Sequence, residues 1–227
     1  MKKPISVFAL LITAAVILSS FYSEPAAPRL YPELQKYFAS LNIKENDKAH
    51  IQSLESIKSS VFSSSLENAD WNVVFYCSEN SFRSQASQVF LQTLSFANRH
   101  KNVKAHSAGK SATVVDARLI GYLSAIGYKV ESKERKGGTA YEVRFSDQAD
   151  PIFLYSKEAS DKSLPAADVT SIIVCDSQKE SECKDFQTTS LHFDLPFEKV
   201  TEADNTQKTE KVLKSIATEM AYITNKK

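Results

Sequence analysis

The most informative part of this chain is V-V-F-Y-C-S-E-N-S-F-R-S, residues 73–84. An apolar run of strand type ends at Cys77, five residues separate Cys77 from Arg83, and a segment of helical pattern follows. If residues 78–83 close into a loop, their amides point inward, and Arg83 and the positive end of the helix add to the same field. Because cations and helix N-termini favour the reactive thiolate, the spacing predicts an oxyanion-binding loop with Cys77 as nucleophile. The alternative is a buried cysteine at a strand end with a surface arginine nearby.

Length and composition indicate one globular domain with extensions. The chain has 227 residues, 42% of them hydrophobic, and a formal net charge of +1. A nucleic-acid-binding domain would normally be basic, so no nucleic-acid partner is predicted. Of the three cysteines, Cys77 stands alone, whereas Cys175 and Cys183 lie close together. This distribution predicts one nucleophile and one possible pair.

The N-terminal segment, residues 1–23, has the pattern of a targeting sequence. Two lysines precede an uncharged apolar stretch, residues 5–22. This pattern predicts a secretory signal peptide or an uncleaved membrane anchor, because the run is near the lower limit for a span and lacks a clean cleavage motif. In either case the following domain is expected outside the cytoplasm, periplasmic or anchored to the membrane by this segment alone.

The rest of the chain divides into a spacer with a helical extension, residues 24–70, and a catalytic domain, residues 71–227. In the second part, strand patterns alternate with helix patterns, which predicts an α/β three-layer sandwich around a central, mostly parallel four-stranded sheet. Residues 139–145 and 152–155 suggest a small inserted hairpin, and the lysine-rich residues 129–136 read as a solvated loop. Cys77 and Cys175 both end predicted strands and so fall at the edge where such folds bind ligands.

The sequence C-S-E-N-S-F-R-S, residues 77–84, resembles the phosphate loop of the low-molecular-weight protein tyrosine phosphatases and the thioredoxin-coupled arsenate reductases. The S-A-G at residues 107–109 adds to the likeness, which covers residues 72–222 with an insertion near 133–165. The likeness is greatest for a bacterial subgroup that has helices before the loop and an H-F-x-L-P segment late in the chain. The resemblance implies that Cys77 is the nucleophile, Arg83 binds the oxyanion, Asn80 shapes the loop and Ser84 hydrogen-bonds the sulfur. It also implies that the intervening residues bind substrate: Ser78, Glu79, Asn80, Ser81 and Phe82.

Three positions depart from the family pattern. Glu79 stands where glycine is common, and its carboxylate would repel an anion unless it pointed outward. Phe82 replaces a cysteine. The aspartate before proline that serves the family as general acid has no counterpart in H-F-D-L-P-F-E-K-V, residues 192–200. By register Glu198 takes that place, with Asp194 as second choice, and the alternative for Glu198 is a solvated surface glutamate.

Cys175 and Cys183 resemble the two further cysteines of the arsenate reductases, which relay oxidation from the nucleophile and end as a disulfide. Seven residues separate them here, against six in those enzymes. A relay would need a thiol reductant as partner, and cytoplasmic thioredoxin could not reach an exported domain. The alternative is a structural disulfide in an exported protein.

Three functions stay open at this point. The first is a cysteine-dependent phosphatase acting on phosphotyrosine-like aryl phosphates through a phosphocysteine, with a phosphorylated protein or a small oxyanion as substrate. The second is an arsenate reductase using Cys77, Cys175 and Cys183. The third is a non-catalytic phosphate-binding domain, suggested by the missing Asp-Pro. No cofactor is predicted, and no metal site either, because the four histidines lack the spacing of a ligand set.

Overall fold

The computed structural model describes most of the chain after the N-terminal segment. No described helix is long and apolar enough to cross a membrane. The predicted targeting sequence, residues 1–23, lies outside the described residues. These are residues 27–43, 50–67, 70–176, 178–183 and 191–225.

The described residues form seven strands and five α-helices. In chain order they are α1 (Pro32–Ala39), α2 (Ile51–Glu67), β1 (Trp71–Cys77), α3 (Arg83–Ala97), β2 (Val103–Gly109), α4 (Ala117–Ala125), β3 (Lys129–Arg135), β4 (Gly138–Arg144), β5 (Ile152–Leu154), β6 (Val169–Ile173), β7 (Leu191–Asp194) and α5 (Thr206–Thr224).

The central sheet has four strands in the order β2-β1-β6-β7, and every pairing in it is parallel. Successive side chains of a strand point to opposite faces, and Val73, Val74, Phe75 and Tyr76 of β1 are all buried. Both faces of β1 are therefore covered, as in other parallel sheets flanked by helices. The predicted α/β class and four-stranded parallel sheet are confirmed.

The two N-terminal helices share the core of the sheet. Leu34 of α1 is fully buried, as are Leu54, Ile57 and Val61 of α2, and all four belong to the same hydrophobic cluster as β1. Helix α2 contacts β1, β7 and α5. The N-terminal extension therefore packs against the sheet domain.

The inserted segment is a three-stranded antiparallel sheet in the order β3-β4-β5. The prediction of a solvated loop over residues 129–136 was wrong, because residues 129–135 form β3 and pair along their length with β4. The side chains of β3 are almost all exposed, so this strand is held mainly by its backbone pairing with β4. Its charged composition therefore carries no strand pattern. Gly137 and Gly138 adopt φ values of 98° and 127° at the turn, a region that favours glycine. The predicted hairpin is present as β4 and β5, and β3 extends it.

Candidate active site

Cys77 ends β1 at the carboxyl edge of the sheet, and its residue is only 3% exposed. Its Sγ lies 3.0 Å from the Ser84 Oγ, and the Asn80 Nδ2 donates to that same oxygen at 2.8 Å. An amide nitrogen can only donate, so the Ser84 hydroxyl proton remains available for the sulfur. The structure thus brings together three of the predicted site residues in one buried chain of hydrogen bonds.

The carbonyl groups of the loop all turn outward, away from the concave side. Each carbonyl from residue 77 to residue 82 accepts a hydrogen bond from a donor outside residues 77–83. The acceptor and donor pairs are Cys77 with Lys110 N at 3.3 Å, Ser78 with Ser111 N at 3.0 Å, Glu79 with Ser156 Oγ at 2.8 Å, Asn80 with Gln85 Nε2 at 2.5 Å, Ser81 with Asp116 N at 3.0 Å, and Phe82 with Ala86 N at 2.9 Å.

The amides of residues 78–83 are left without an acceptor among the residues that the structure describes. Helix α3 begins at Arg83 and runs for 15 residues, so its positive end lies at the same place. Unpaired amides at a helix N-terminus form a concave anion site. The loop can therefore bind a phosphate-like oxyanion beside the Cys77 thiol.

Gly109, at the end of β2, is required by the closeness of this packing. A Cβ added there would lie 2.4 Å from the Ser111 O, 2.7 Å from the Asn80 N and 2.8 Å from the Glu79 C, which are all backbone atoms. Gly109 is also paired with Cys77 across the two strands. Only glycine lets β2 approach the loop in this way.

A strap after β5, residues 155–159, supports the loop from its outer side, and sequence reasoning missed it. The backbone N–H of Lys157 donates to the Asn80 Oδ1 at 3.0 Å, and Lys157 O accepts from the Gly109 N–H at 2.9 Å. Asn80 is fully buried and has a positive φ of 49°, which its side-chain hydrogen bonds stabilise. The strap follows the inserted sheet, so the insertion helps to fix the conformation of Asn80.

Arg83 makes a contact that the sequence did not suggest. Its Nη1 and Nη2 donate to the two carboxylate oxygens of Glu180, at 2.5 and 2.7 Å, and Nη1 also donates to the Phe197 carbonyl at 3.1 Å. Both charged residues are buried. Burial raises the pKa of the Glu180 carboxyl, but the hydrogen bonds and charge of Arg83 outweigh burial and hold that pKa below its usual range. Glu180 is thus a carboxylate at neutral pH.

Cys175 and Cys183 are joined in a disulfide, whereas Cys77 is a free thiol. Cys175 directly follows the residue that hydrogen-bonds to β1, since the Val174 N–H donates to Tyr76 O at 2.9 Å. The pair therefore lies at the end of the strand next to the one that carries Cys77. This placement is compatible with both sequence-based interpretations, the relay and the structural disulfide.

The outer side of the loop borders a cavity of about 750 Å³. Glu79 is exposed, so its residue faces solvent, Ser81 is half-buried and Phe82 is buried. All three line the cavity, as do Val114, in the segment before α4, and Arg118, in the first turn of α4.

The structure does not bring Glu198 to the loop. Its carboxylate lies 3.2 Å from the Lys208 Nζ, and its side chain is 57% exposed. Asp194 is also exposed. Among the described residues neither carboxylate hydrogen-bonds to residues 77–84; both line a separate cavity of about 740 Å³ beside Glu180.

No protein-family model and no curated protein matches the chain, but solved structures do. The low-molecular-weight protein tyrosine phosphatase from T. tengcongensis is 18% identical, with a TM-score of 0.43 over 67% of this chain and 97% of its own. The low-molecular-weight phosphotyrosine phosphatase from Vibrio cholerae O395 is 12% identical, with a TM-score of 0.45 over 67% of this chain and 93% of its own. The thioredoxin-dependent arsenate reductase from Corynebacterium glutamicum is 17% identical, with a TM-score of 0.38 over 93% of this chain and 94% of its own. Each is a low-molecular-weight phosphatase or an arsenate reductase, the two groups that the loop sequence resembles.

Proposed function

We propose that the protein is a cysteine-dependent phosphatase that hydrolyses phosphotyrosine-like aryl phosphates. One observation carries this proposal. Every carbonyl of residues 77–82 is bound from outside, which leaves the amides of residues 78–83 for an oxyanion beside the Cys77 thiol. Preorganised donors of this kind stabilise the charge that develops on the transferred group.

Covalent catalysis divides the reaction into two displacements. The Cys77 thiolate attacks phosphorus, an S–P bond forms, and the P–O bond to the aryl group breaks with its electron pair on the departing oxygen. Water then attacks the phosphocysteine, the S–P bond breaks, and inorganic phosphate leaves with the Cys77 thiolate restored. Ser84, whose Oγ lies 3.0 Å from the sulfur, can donate a hydrogen bond to that thiolate in both steps.

The two candidate general acids, Glu198 and Asp194, do not contact the loop, and this favours a substrate whose leaving group is a phenolate. A phenolate is a far better leaving group than an alkoxide and depends less on a general acid, whose loss costs about 10²–10⁴-fold. Glu198 can protonate the leaving oxygen only after its carboxylate leaves Lys208. We therefore propose a phosphorylated tyrosine of a protein, or a small aryl phosphate, as substrate in preference to phosphoserine.

Initial rates with an aryl phosphate test the proposal. The purified protein should hydrolyse it, and Cys77→Ser should abolish turnover because the nucleophile is lost. Ser124→Ala, which removes one exposed hydroxyl group on α4, serves as the control for a conservative single-atom change away from the loop. Turnover that survives in Cys77→Ser, or no turnover in the wild-type protein at any pH, would reject the phosphatase.

Arsenate reduction is the second candidate, and the Cys175–Cys183 disulfide beside the strand of Cys77 is the observation that favours it. In this reaction the Cys77 thiolate displaces water from arsenate and forms an S–As bond. The Cys175 thiolate attacks the Cys77 sulfur, and arsenite leaves with the S–As electron pair. Cys183 then attacks Cys175, which frees Cys77 and leaves the Cys175–Cys183 disulfide, so one dithiol has reduced one arsenate. The reduced protein should form this disulfide only when arsenate is added, and an unchanged rate in Cys175→Ala would exclude the relay.

A non-catalytic phosphate-binding domain is the third candidate, because neither of the two candidate general acids, Glu198 and Asp194, hydrogen-bonds to residues 77–84 within the described part of the chain. Calorimetry with phosphate or phosphotyrosine would then show binding without turnover. For all three candidates we propose a location outside the cytoplasm, periplasmic or membrane-anchored. The targeting pattern of residues 1–23 supports this, as does a disulfide, since disulfides persist in oxidising compartments. Fractionation of cells that express the protein would test it.

A further inference from the structure

Glu180 is a buried carboxylate next to the anion-binding loop, and the reaction described above gives it no role. A carboxylate at this place could do one of two things. It could occupy the anion site and compete with the substrate, or it could hold Arg83 in the orientation in which that residue binds an oxyanion. The hydrogen bonds of the two residues distinguish these roles.

Glu180 does not lie in the anion site. Its carboxylate accepts hydrogen bonds from Arg83 and, at 3.2 Å, from the Asp176 N–H. None of the amides of residues 78–83 donates to it, although an anion held in the loop would take those donors first. The contact with Glu180 is therefore made outside the loop.

The contact also leaves part of the Arg83 guanidinium available. Glu180 takes one N–H from each terminal nitrogen, in the end-on fork that a carboxylate favours. Phe197 O takes a further proton of Nη1. Within the described residues Nε has no acceptor, so the Nε–H and the neighbouring N–H of Nη2 form a second fork, of the kind that binds phosphate in a bidentate way.

Glu180 is in turn held by a covalent ring. It lies between the two half-cystines of the Cys175–Cys183 disulfide. Its own N–H donates to Asp176 O at 2.7 Å, and its carbonyl accepts from the Cys183 N–H at 3.0 Å. The disulfide and these turns together fix the place from which the Glu180 side chain reaches Arg83.

We propose that Glu180 is a positioning residue that holds Arg83 end-on, so that the Nε edge of the guanidinium is presented to the oxyanion, and that the Cys175–Cys183 disulfide fixes Glu180 in that position. The disulfide then serves oxyanion binding through structure, with no electron transfer. This proposal rests on the proposed function for its kinetic readout only, because binding of inorganic phosphate tests it without turnover.

The experiment compares Glu180→Gln, Glu180→Asp and the double variant Cys175→Ser/Cys183→Ser with the wild-type protein. The aspartate variant keeps the charge but withdraws the carboxylate by one methylene. The double variant opens the ring without a reductant that would also act on Cys77. The control is Glu182→Gln on the same loop, whose side chain is 57% exposed and 4.0 Å from Lys199. Circular dichroism and urea unfolding establish which variants fold.

Calorimetry should show that inorganic phosphate binds about tenfold or more weakly to all three variants, because a misplaced binding group can cost up to about 10²-fold. In hydrolysis the KM for an aryl phosphate should rise by a similar factor, and Glu182→Gln should match the wild type in both measurements. Phosphate binding in Glu180→Gln that equals or exceeds the wild type would overturn the proposal, since it would make Glu180 a competitor or a bystander. Weak binding in Glu180→Gln with wild-type binding in Glu180→Asp would equally overturn it, because charge alone would then suffice. If the wild-type protein did not hydrolyse the aryl phosphate, but the three variants still bound inorganic phosphate more weakly than the wild type, the phosphatase would be rejected and the positioning role kept.

Discussion

Replacing Gly109 by alanine should damage the loop in a way that the structure quantifies. The added Cβ would meet the Ser111 O at 2.4 Å and the Asn80 N at 2.7 Å, whereas ordinary contacts begin at 3.4 Å. The carbonyl must therefore retreat by about 1.0 Å and the amide by about 0.7 Å. Both atoms are backbone, so no side chain can rotate to relieve the contact.

Two magnitudes follow for Gly109→Ala. Overpacking of this kind costs about 1–3 kcal/mol of unfolding free energy, which urea titration measures. The Asn80 amide would move by about 0.7 Å, and because a misplacement of about 1 Å can cost about 10²-fold, kcat/KM should fall by roughly 10–10²-fold, which initial rates with an aryl phosphate measure. Because the Asn80 amide is one of the donors proposed to bind the oxyanion, we expect activity to fall further than the loss of stability alone would explain.

Gly121→Ala is the matched control for this substitution. A Cβ at Gly121, in the exposed middle of α4, would meet nothing within 4 Å. Since alanine is the better helix former, Gly121→Ala should stabilise the protein by about 0.8–1.0 kcal/mol and leave kcat/KM unchanged. Wild-type stability and wild-type kcat/KM in Gly109→Ala would refute the close packing of β2 on the loop.

Three further predictions concern single side chains. Ser84→Ala removes the hydroxyl 3.0 Å from Cys77 Sγ, so kcat/KM should fall by about 10–100-fold, the worth of a hydrogen bond to a charged group; an unchanged rate would remove Ser84 from the reaction. Glu198→Gln should change kcat with phenyl phosphate by less than about fivefold, because this exposed carboxylate is paired with Lys208 and such pairs contribute only about 0–1 kcal/mol; a 10²-fold loss would make Glu198 the acid after all. Burial lowers the pKa of Lys157 to about 8. Above pH 8 the unfolded chain therefore binds more protons than the folded chain, and the free energy of unfolding of the wild type rises with pH up to the ordinary lysine pKa of about 10.4. Urea titrations should therefore show that Lys157→Met gains stability relative to the wild type at pH 7 and loses most of that advantage only by about pH 10.4; a difference independent of pH would contradict the buried charge.

The local part of the site could be predicted from the sequence, because its geometry depends on spacing along the chain. Cys77, Asn80, Arg83 and Ser84 belong to one strand–loop–helix unit, and the hydrogen bonds among the first, second and fourth of them connect residues at most seven positions apart. The parallel sheet followed from the alternation of apolar strands and helices, which is also a local signal.

The rest of the site depends on contacts between distant segments. Glu180 lies 97 positions from Arg83, in a polar loop whose composition suggests only solvent exposure. Ser156 reaches the Glu79 carbonyl from 77 positions away, across the inserted sheet. For Glu198, register with a family motif placed the carboxylate at the site, but its nearby partner Lys208 holds it elsewhere. No spacing rule reports such contacts, since they arise only when the sheet is assembled.

Trapping the covalent intermediate is the most direct test of the central claim that Cys77 is the nucleophile of a phosphatase. The wild-type protein would be mixed with an aryl phosphate in a single turnover, quenched in acid, digested and analysed by mass spectrometry. We expect one phosphoryl group on the peptide that contains Cys77, formed and lost at rates consistent with turnover, and no such adduct in Cys77→Ala. Hydrolysis that proceeds without a phosphoryl group on Cys77, or with one on another residue, would contradict the account.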